Sequence, residues 1–159
     1  GKTQLEGKAK VYESETLAIE AILHREINAG DVVIIRGEGP KSAPGMRKIL
    51  YFSAILRGIG LDQAAVITDG RISDVFSGVA VGSVTPESSE QCLFAVLRDG
   101  DQIEINAKGK ISCDVKAKEL AQRLRNMDSP IGNYANSYLK NWAKHCSTAS
   151  DGCALKAKK

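Results

Sequence analysis

A short polar loop after an apolar run carries residue types that could bind a small ligand. Residues 64–68 read Ala-Ala-Val-Ile-Thr, and Asp69, Gly70, Arg71 and Ser73 lie just beyond them. A guanidinium pairs with carboxylates, and a glycine lets a ligand approach the main chain. No histidine is near in sequence to activate the serine, so a Ser-His-Asp triad is not indicated. The alternative is structural: the aspartate closes an Asx turn and the arginine pairs with a surface carboxylate.

A second loop, residues 37–45, follows another apolar run and is rich in glycine and proline. It contains three glycines and two prolines, with Lys41 between the prolines. The pattern superficially resembles a phosphate-binding loop, but Pro40 stands where the Walker motif has glycine. Ligand contact by Lys41 and a rigid connector both remain open from the residues alone.

These loops require a sheet to hold them. Val32–Ile35 and residues 64–68 are continuous apolar runs, typical of strands buried on both faces of an α/β domain. Ligands tend to bind at the carboxyl ends of such strands, where both loops lie. Further strands are predicted at 10–12, 78–84, 92–97, 102–105 and 111–115, and helices at 14–28, 46–57, from 85 onward, 116–126 and 134–145.

The first predicted helix has a capping residue and an apolar stripe. Ser14 or Thr16 can cap it, and Asn28 lies near its end. Its buried stripe is predicted to contain Leu17, Ala21 and Ile22, widened by Ile19, Leu23 and Ile27. The α/β first half and the strand-rich second half predict one compact α/β domain over residues 1–159, with a mixed or barrel-like sheet and a polar tail from about residue 146.

Composition excludes several classes of protein. The chain has 159 residues, 43% of them hydrophobic, which suffices for the core of one domain. A net charge of +3 and 5% aromatic residues argue against a nucleic-acid partner. No apolar run approaches the roughly 18 residues of a membrane span, and the start has no apolar signal region. We therefore expect a soluble, cytoplasmic protein.

The cysteines do not form a metal-binding pattern. There is no CxxC pair, and the two histidines do not have zinc-finger spacing. Cys92 and Cys113 lie in apolar runs and are predicted to be buried. Cys146 and Cys153 lie near the polar tail and are predicted to be exposed. No cofactor is expected to be bound by this chain alone.

Several segments together resemble one family of enzymes. They are GDVVIIR at 30–36, EGPK at 38–41, PGMR at 44–47, ITDGRIS at 67–73, VTPE at 84–87 and DGDQIEI at 99–105. In order and approximate spacing they resemble the C-terminal domain of the dihydroxy-acid dehydratase and sugar-acid dehydratase family. The long glycine-proline loop is more similar to the dihydroxy-acid branch.

The resemblance implies a hydro-lyase that removes water from a 2,3-dihydroxy acid and gives a 2-keto acid, as in branched-chain amino-acid biosynthesis. It implies that Ser73 abstracts the proton from C2, and that Gly70, Arg71, Lys41 and Lys48 lie at the substrate. It also implies a swivelling β/β/α domain, a magnesium ion and an iron–sulfur cluster. The cluster cysteines and most magnesium ligands belong to a large N-terminal domain or subunit, so the isolated chain is not expected to be active. The resemblance also favours a homodimer.

The sequence departs from the family at the expected site. The residue after PGMR, a magnesium-binding glutamate in the family, is Lys48 here. Asp74 and Val75 replace two glycines, and Ser83 replaces a histidine. Three interpretations follow: a dehydratase C-terminal domain; a diverged module in which Lys41, Lys48 and Arg71 bind a small acid without metal; or a domain without a ligand, whose exposed apolar face binds a partner.

Overall fold

The sheet of this protein is mixed and six-stranded, and it forms a half-barrel. The computed structural model describes residues 3–43, 45–61, 64–73, 76–106, 108, 110–127 and 137–155. The strands in these ranges are β1 (Thr3–Tyr12), β2 (Val32–Ile35), β3 (Ala65–Thr68), β4 (Val79–Val81), β5 (Gln102–Asn106) and β6 (Ile111–Cys113). The helices are α1 (Glu15–Leu23), α2 (Ile49–Gly58), α3 (Ala117–Arg125) and α4 (Ser137–His145).

The order of the strands places the parallel part of the sheet on one side. The order is β4-β3-β2-β1-β5-β6, with β1 to β4 parallel, β5 antiparallel to β1, and β6 antiparallel to β5. The carboxyl ends of four neighbouring strands therefore meet at one edge. We refer to this as the carboxyl edge.

Two apolar layers sandwich the central strands, as their continuous hydrophobic sequences predicted. On one face, Val33, Ile35 and Val66 pack under α1 and α2. On the other face, Ile34 and Ile67 pack against β5 and the segment 92–97. Every residue of β2 and β3 is buried, which confirms both strands.

The segment before β5 differs from the prediction. Residues 92–97 were predicted as a strand, but they contain a single 3₁₀ turn at Phe94–Val96. A short apolar run does not distinguish a strand from a buried turn, and here the four consecutive side chains of residues 94–97 are buried while Leu93 is exposed. The partner of β5 is consequently β1, and the Gly100 amide donates to the Ala9 carbonyl at 2.9 Å.

Other boundaries also shift. The helix predicted from residue 85 is absent among residues 85–91, which form turns, because the Glu87 side chain is buried as an acceptor of main-chain amides. β1 begins at Thr3 rather than residue 10, and α2 begins at Ile49 rather than Met46. Predicted helix residues 134–136 lie outside the described residues. None of the helices in the described ranges has the length and apolar character to cross a membrane.

The apolar stripe of α1 is also corrected. Ser14 caps the helix, accepting a hydrogen bond from the Leu17 amide at 3.2 Å, as predicted. Ala18 and Ile22 face the core, whereas Leu17 and Leu23 are 46% and 57% exposed. Apolar residues fall on most sides of this helix, so the sequence did not determine which side the sheet would cover.

A buried ion pair fastens α3 to the turn before β5. The Arg123 guanidinium contacts the Asp101 carboxylate through Nη1–Oδ2 at 2.6 Å and Nη2–Oδ1 at 3.0 Å, and both side chains are less than 10% exposed. Burial by itself would raise the pKa of Asp101. Hydrogen bonds from Arg123 and the Arg98 amide outweigh it, so the pKa lies below its ordinary value.

We expect Asp101→Asn to lower the free energy of unfolding at pH 7 by about 2 kcal/mol, since the buried Arg123 guanidinium loses its two-bond charge partner and keeps only the half-exposed Glu119, whose Oε1 lies 2.6 Å from Nη2. The pKa of Asp101 in the folded protein lies below its unfolded value of about 3.9. The stabilisation by its ionised carboxylate is therefore fully present above about pH 3.9 and is lost as the pH falls through the folded pKa. Urea unfolding from pH 7 to pH 2 should show the difference between the two proteins shrinking as the pH falls below about 3.9. The control Glu104→Gln, on the exposed side of β5, should stay within about 0.5 kcal/mol of the parent. An equally small effect of Asp101→Asn at pH 7 would contradict the assignment.

Candidate functional site

Three loops converge at the carboxyl edge. They follow β2, β3 and β4 and are joined by main-chain hydrogen bonds: Met46 N to Arg71 O at 3.2 Å, Ser83 N to Gly70 O at 3.0 Å, and Val84 N to Thr68 O at 3.1 Å. The two loops predicted from sequence are thus brought together, and the loop after β4 joins them.

Asp69 is the centre of this arrangement. Its carboxylate is fully buried. Oδ1 accepts from the Glu38 amide at 3.0 Å, and Oδ2 accepts from the Gly37 amide at 3.3 Å. Oδ2 also accepts from the amide and hydroxyl of Ser88, at 3.0 Å and 2.5 Å. These partners lie 19 to 32 residues away, so Asp69 bridges loops rather than closing a local turn.

Two further buried carboxylates tie α1 to the glycine-proline loop and to α2. Glu38 Oε1 accepts from the Glu15 amide at 2.8 Å. The Glu15 carboxylate in turn accepts from the amides of Arg47 and Lys48, at 2.9 Å and 2.8 Å. Burial raises the pKa of Glu38, although the hydrogen bond from Glu15 opposes that shift. Sequence reasoning missed Glu15, whose position in the first turn of α1 looked like an ordinary helix start.

Glu87 links the same loop to the C-terminal tail. Its carboxylate accepts from the Lys41 amide at 3.0 Å and the Ala149 amide at 3.2 Å, and the side chain is fully buried. Burial raises the pKa of Glu87, against the effect of both amides. Sequence reasoning missed this role too, because both partners are distant in the chain.

Gly70 is enclosed by the neighbouring loop. A Cβ atom at this position would lie 2.7 Å from Glu38 Cβ, 3.0 Å from the Glu38 carbonyl oxygen and 3.1 Å from Met46 Cγ. Such contacts leave no space for a side chain. The structure therefore shows why glycine stands here, while the substrate contact predicted for Gly70 stays a prediction.

Arg71 and Ser73 lie on the outer side of the same loop, and both are exposed. Within the described part of the chain, no carboxylate forms an ion pair with the Arg71 guanidinium. The following Asp74 and Val75, where the sequence departs from the family pattern, lie outside the described residues.

Arg71 also lines a cavity of about 490 Å³ between the glycine-proline loop and α4. Pro40 and Trp142 form part of the opposite wall, where the indole Nε1 donates to the Pro40 carbonyl at 2.8 Å. A second cavity, of about 730 Å³, lies on the face of the sheet that carries Ile34 and Ile67, and none of its described lining residues has a charged side chain. The first cavity, by contrast, combines one cationic side chain, Arg71, with the carboxyl group of Glu38, which also lines it.

The other predicted cations do not line the Arg71 cavity. Lys41 Nζ lies 3.0 Å from Glu90 Oε1. Lys48 is exposed at the start of α2. A single pocket formed by all three cations is not seen.

The described residues do not fit a metal centre. Among them, no group of three histidine, cysteine, aspartate or glutamate side chains could hold a metal ion. Cys92 is buried, as predicted, and its thiol bonds to the Glu87 carbonyl; Cys146 is buried, contrary to prediction, because its thiol bonds to the Ser147 carbonyl inside the tail. Cys113, predicted to be buried, is partly exposed, since its strand β6 is the outermost of the sheet, and Cys153 is exposed as predicted. The buried carboxylates described at the carboxyl edge accept hydrogen bonds from main-chain amides, so these residues do not assemble a magnesium site or an iron–sulfur site.

We expect Gly70→Ala to lower the free energy of unfolding by about 1–3 kcal/mol, because its Cβ would push the glycine-proline loop away from β3. The matched control is Gly58→Ala at the end of α2, where an added Cβ meets nothing within 4 Å. That variant should be unchanged or up to about 1 kcal/mol more stable. Thermal unfolding of the two variants checks the expectation, and equal stabilities would contradict the close approach.

Comparison with known proteins agrees with the sequence motifs. The chain matches the family described as "Dihydroxy-acid/6-phosphogluconate dehydratase C-terminal" over residues 1–153. It is 43% identical over 154 residues to the dihydroxy-acid dehydratase of Acetivibrio thermocellus, covering 96% of this chain and 28% of that protein. It is 41% identical over 153 residues to the dihydroxy-acid dehydratase of Methanococcus vannielii, covering 95% and 28%. The chain thus spans little more than a quarter of the length of these relatives, and it belongs to the dihydroxy-acid/6-phosphogluconate dehydratase family as a C-terminal domain.

Proposed function

We propose that this chain supplies one side of the active site of a hydro-lyase that converts a 2,3-dihydroxy acid to a 2-keto acid. The proposal rests on one observation: neighbouring residues of the loop after β3 differ in their burial. Asp69 and Gly70 are locked into the interior, while Arg71 and Ser73 stand exposed at the carboxyl edge. The dihydroxy-acid dehydratases that share about 40% of its residues support the reaction class.

In this proposal, Arg71 binds the carboxylate of the acid and Ser73 Oγ takes the proton from C2. The C2–H electron pair forms the double bond to C3 as the C3 hydroxyl leaves, and the resulting enol gives the 2-keto acid. A serine hydroxyl is a poor base, so it needs nearby positive charge to favour its oxyanion. The guanidinium two residues away is one source of it.

Assistance to the departing hydroxyl is not supplied by the described residues of this chain. We therefore propose that the isolated chain is inactive and that the region its relatives carry beyond the match completes the site. The pathway of branched-chain amino-acid biosynthesis and a cytoplasmic location stay predictions from the sequence.

A second function is favoured by Lys48. The resemblance places a magnesium-binding glutamate at this position, and an ammonium group repels a cation. Lys48 has no ion pair with a carboxylate within the described ranges, and its side chain is exposed. A diverged module that binds a small acid without metal would use this charge directly.

We expect Ser73→Ala to lower kcat about 10²–10⁴-fold if Ser73 is the general base. The measurement uses a chimera, in which this chain replaces the matched region of the Acetivibrio thermocellus enzyme, assayed with a 2,3-dihydroxy acid. Ser112→Ala removes another exposed hydroxyl, on β6, and should leave kcat unchanged. Equal activity of the Ser73→Ala chimera and its parent would rule out the base assignment.

Lys48→Glu separates the two functions. For a dehydratase, it should raise the magnesium-dependent turnover of the chimera about tenfold or more, because a carboxylate attracts the ion that lysine repels. For a metal-free module, it should weaken binding of a simple 2-keto acid to this chain about tenfold, equivalent to about 1.4 kcal/mol, in calorimetric titrations without magnesium.

Lys110→Glu is the control for Lys48→Glu, since it makes the same change of charge at an exposed lysine beside β6. It should affect neither measurement. No turnover by the chimera or its Lys48→Glu variant would contradict the dehydratase proposal, and the absence of acid binding to this chain would contradict the metal-free module.

A further inference from the structure

The outward side of α1 and α2 is unusually apolar for a solvent-facing surface. Of the seven large hydrophobic side chains that are exposed among the described residues, four lie on these two short helices: Leu17, Leu23, Leu50 and Tyr51, which are 46%, 57%, 61% and 54% exposed. We call these four residues the outer helix face. Scattered single exposed leucines are ordinary, but four on two adjacent helices indicate a contact surface.

The same helices are already apolar on their inward sides. Ala18 and Ile22 of α1, and Ile49, Phe52 and Leu56 of α2, are at most 1% exposed and pack over the sheet. Apolar residues on both sides of a helix are typical of helices that are buried on both sides. This also accounts for the failed prediction that Leu17 and Leu23 would be buried by the sheet.

The edge of the outer helix face is positively charged at one end. Arg47 and Lys48 are exposed at the start of α2, and the Glu15 carboxylate holds their amides close to the start of α1. Exposed Glu20 lies between Leu17 and Leu23 on α1, three residues from each. The apolar part of the face is therefore centred on Leu50 and Tyr51, with charged residues around it as in the rim of a protein interface. A partner that fits it has an apolar surface with acidic groups facing Arg47 and Lys48.

The size of the surface argues against an independent association of two copies. α1 has 9 residues, which gives a helix about 14 Å long. Two such helices side by side present roughly 300 Å², whereas a stable complex buries about 800 Å² per partner. A partner on the same polypeptide needs less area, because the covalent link raises its effective concentration.

We propose that the outer helix face is covered by the N-terminal portion of a dehydratase chain, the portion that lies outside the match in the relatives. The matched region is only 28% of the Acetivibrio thermocellus protein, so nearly three quarters of such a chain lies outside the match and is available to cover this face. The inference rests on the proposed function to the extent that this chain works as part of a dehydratase.

Footprinting by mass spectrometry, with a photoactivated carbene that labels exposed side chains, tests the proposal on this chain and on the chimera defined above. We expect labelling of Leu17, Leu50 and Tyr51 to fall about fivefold in the chimera, as for half-exposed side chains entering an interface core. Leu155 is 61% exposed in the tail and should be labelled equally in both. Phe52, which is fully buried, should stay unlabelled in both and reports that the domain is folded.

Two results would overturn the inference. One is unchanged labelling of the outer helix face in a folded chimera. The other is protection of that face in this chain alone, together with a doubled mass by light scattering, which would assign the surface to a second copy. Turnover measured on the same chimera distinguishes a failure of this inference from a failure of the proposed function. If the outer helix face is protected but the chimera has no turnover, only the proposed dehydratase function is contradicted. If the chimera turns over but the face stays exposed, only the proposed contact with the N-terminal portion is contradicted.

Discussion

The loops at the carboxyl edge are held together by hydrogen bonds from main-chain amides to the buried Asp69 carboxylate. One carboxylate at the end of β3 satisfies the amides of Gly37, Glu38 and Ser88 and the hydroxyl of Ser88. Hydrogen bonds to a charged acceptor are stronger than neutral ones, and a buried amide left without an acceptor is costly. The loops after β2 and β4 are therefore held against the end of β3, the first through Gly37 and Glu38 and the second through Ser88, and Gly70 permits the close approach of the glycine-proline loop.

Glu15, Glu38 and Glu87 extend the same principle outward. Each accepts amides from a segment distant in the chain, so that α1, the glycine-proline loop, the start of α2 and the tail are joined at one edge. Carboxylates used in this way stabilise the scaffold and are not arranged as metal ligands. Arg71 and Ser73, in the described part of the loop after β3, remain exposed beyond this hydrogen-bonded base.

This arrangement agrees with a domain that works against another part of a longer chain. The exposed site residues lie at a rim, and large hydrophobic side chains lie on the outward side of α1 and α2. Lys48 directly precedes α2, whose outward side carries Leu50 and Tyr51, so a change of charge there bears on that neighbouring surface.

The sequence by itself determined the buried strands β2 and β3, the two loops at their carboxyl ends and the family, because continuous β-branched runs and ordered motifs are local properties of the chain. It did not determine the roles of Asp69, Glu15 and Glu87, since their partners are main-chain amides that carry no sequence signature. Nor did it determine the covered side of α1, the turn at 92–97 or the pairing of β5 with β1. Those depend on which apolar surfaces meet, and several surfaces of similar hydrophobicity compete for the same sheet. Only the tertiary structure decided which of these surfaces meet. It places buried carboxylates beside main-chain amides from distant segments, and it leaves four large hydrophobic side chains outside the core: Leu17, Leu23, Leu50 and Tyr51.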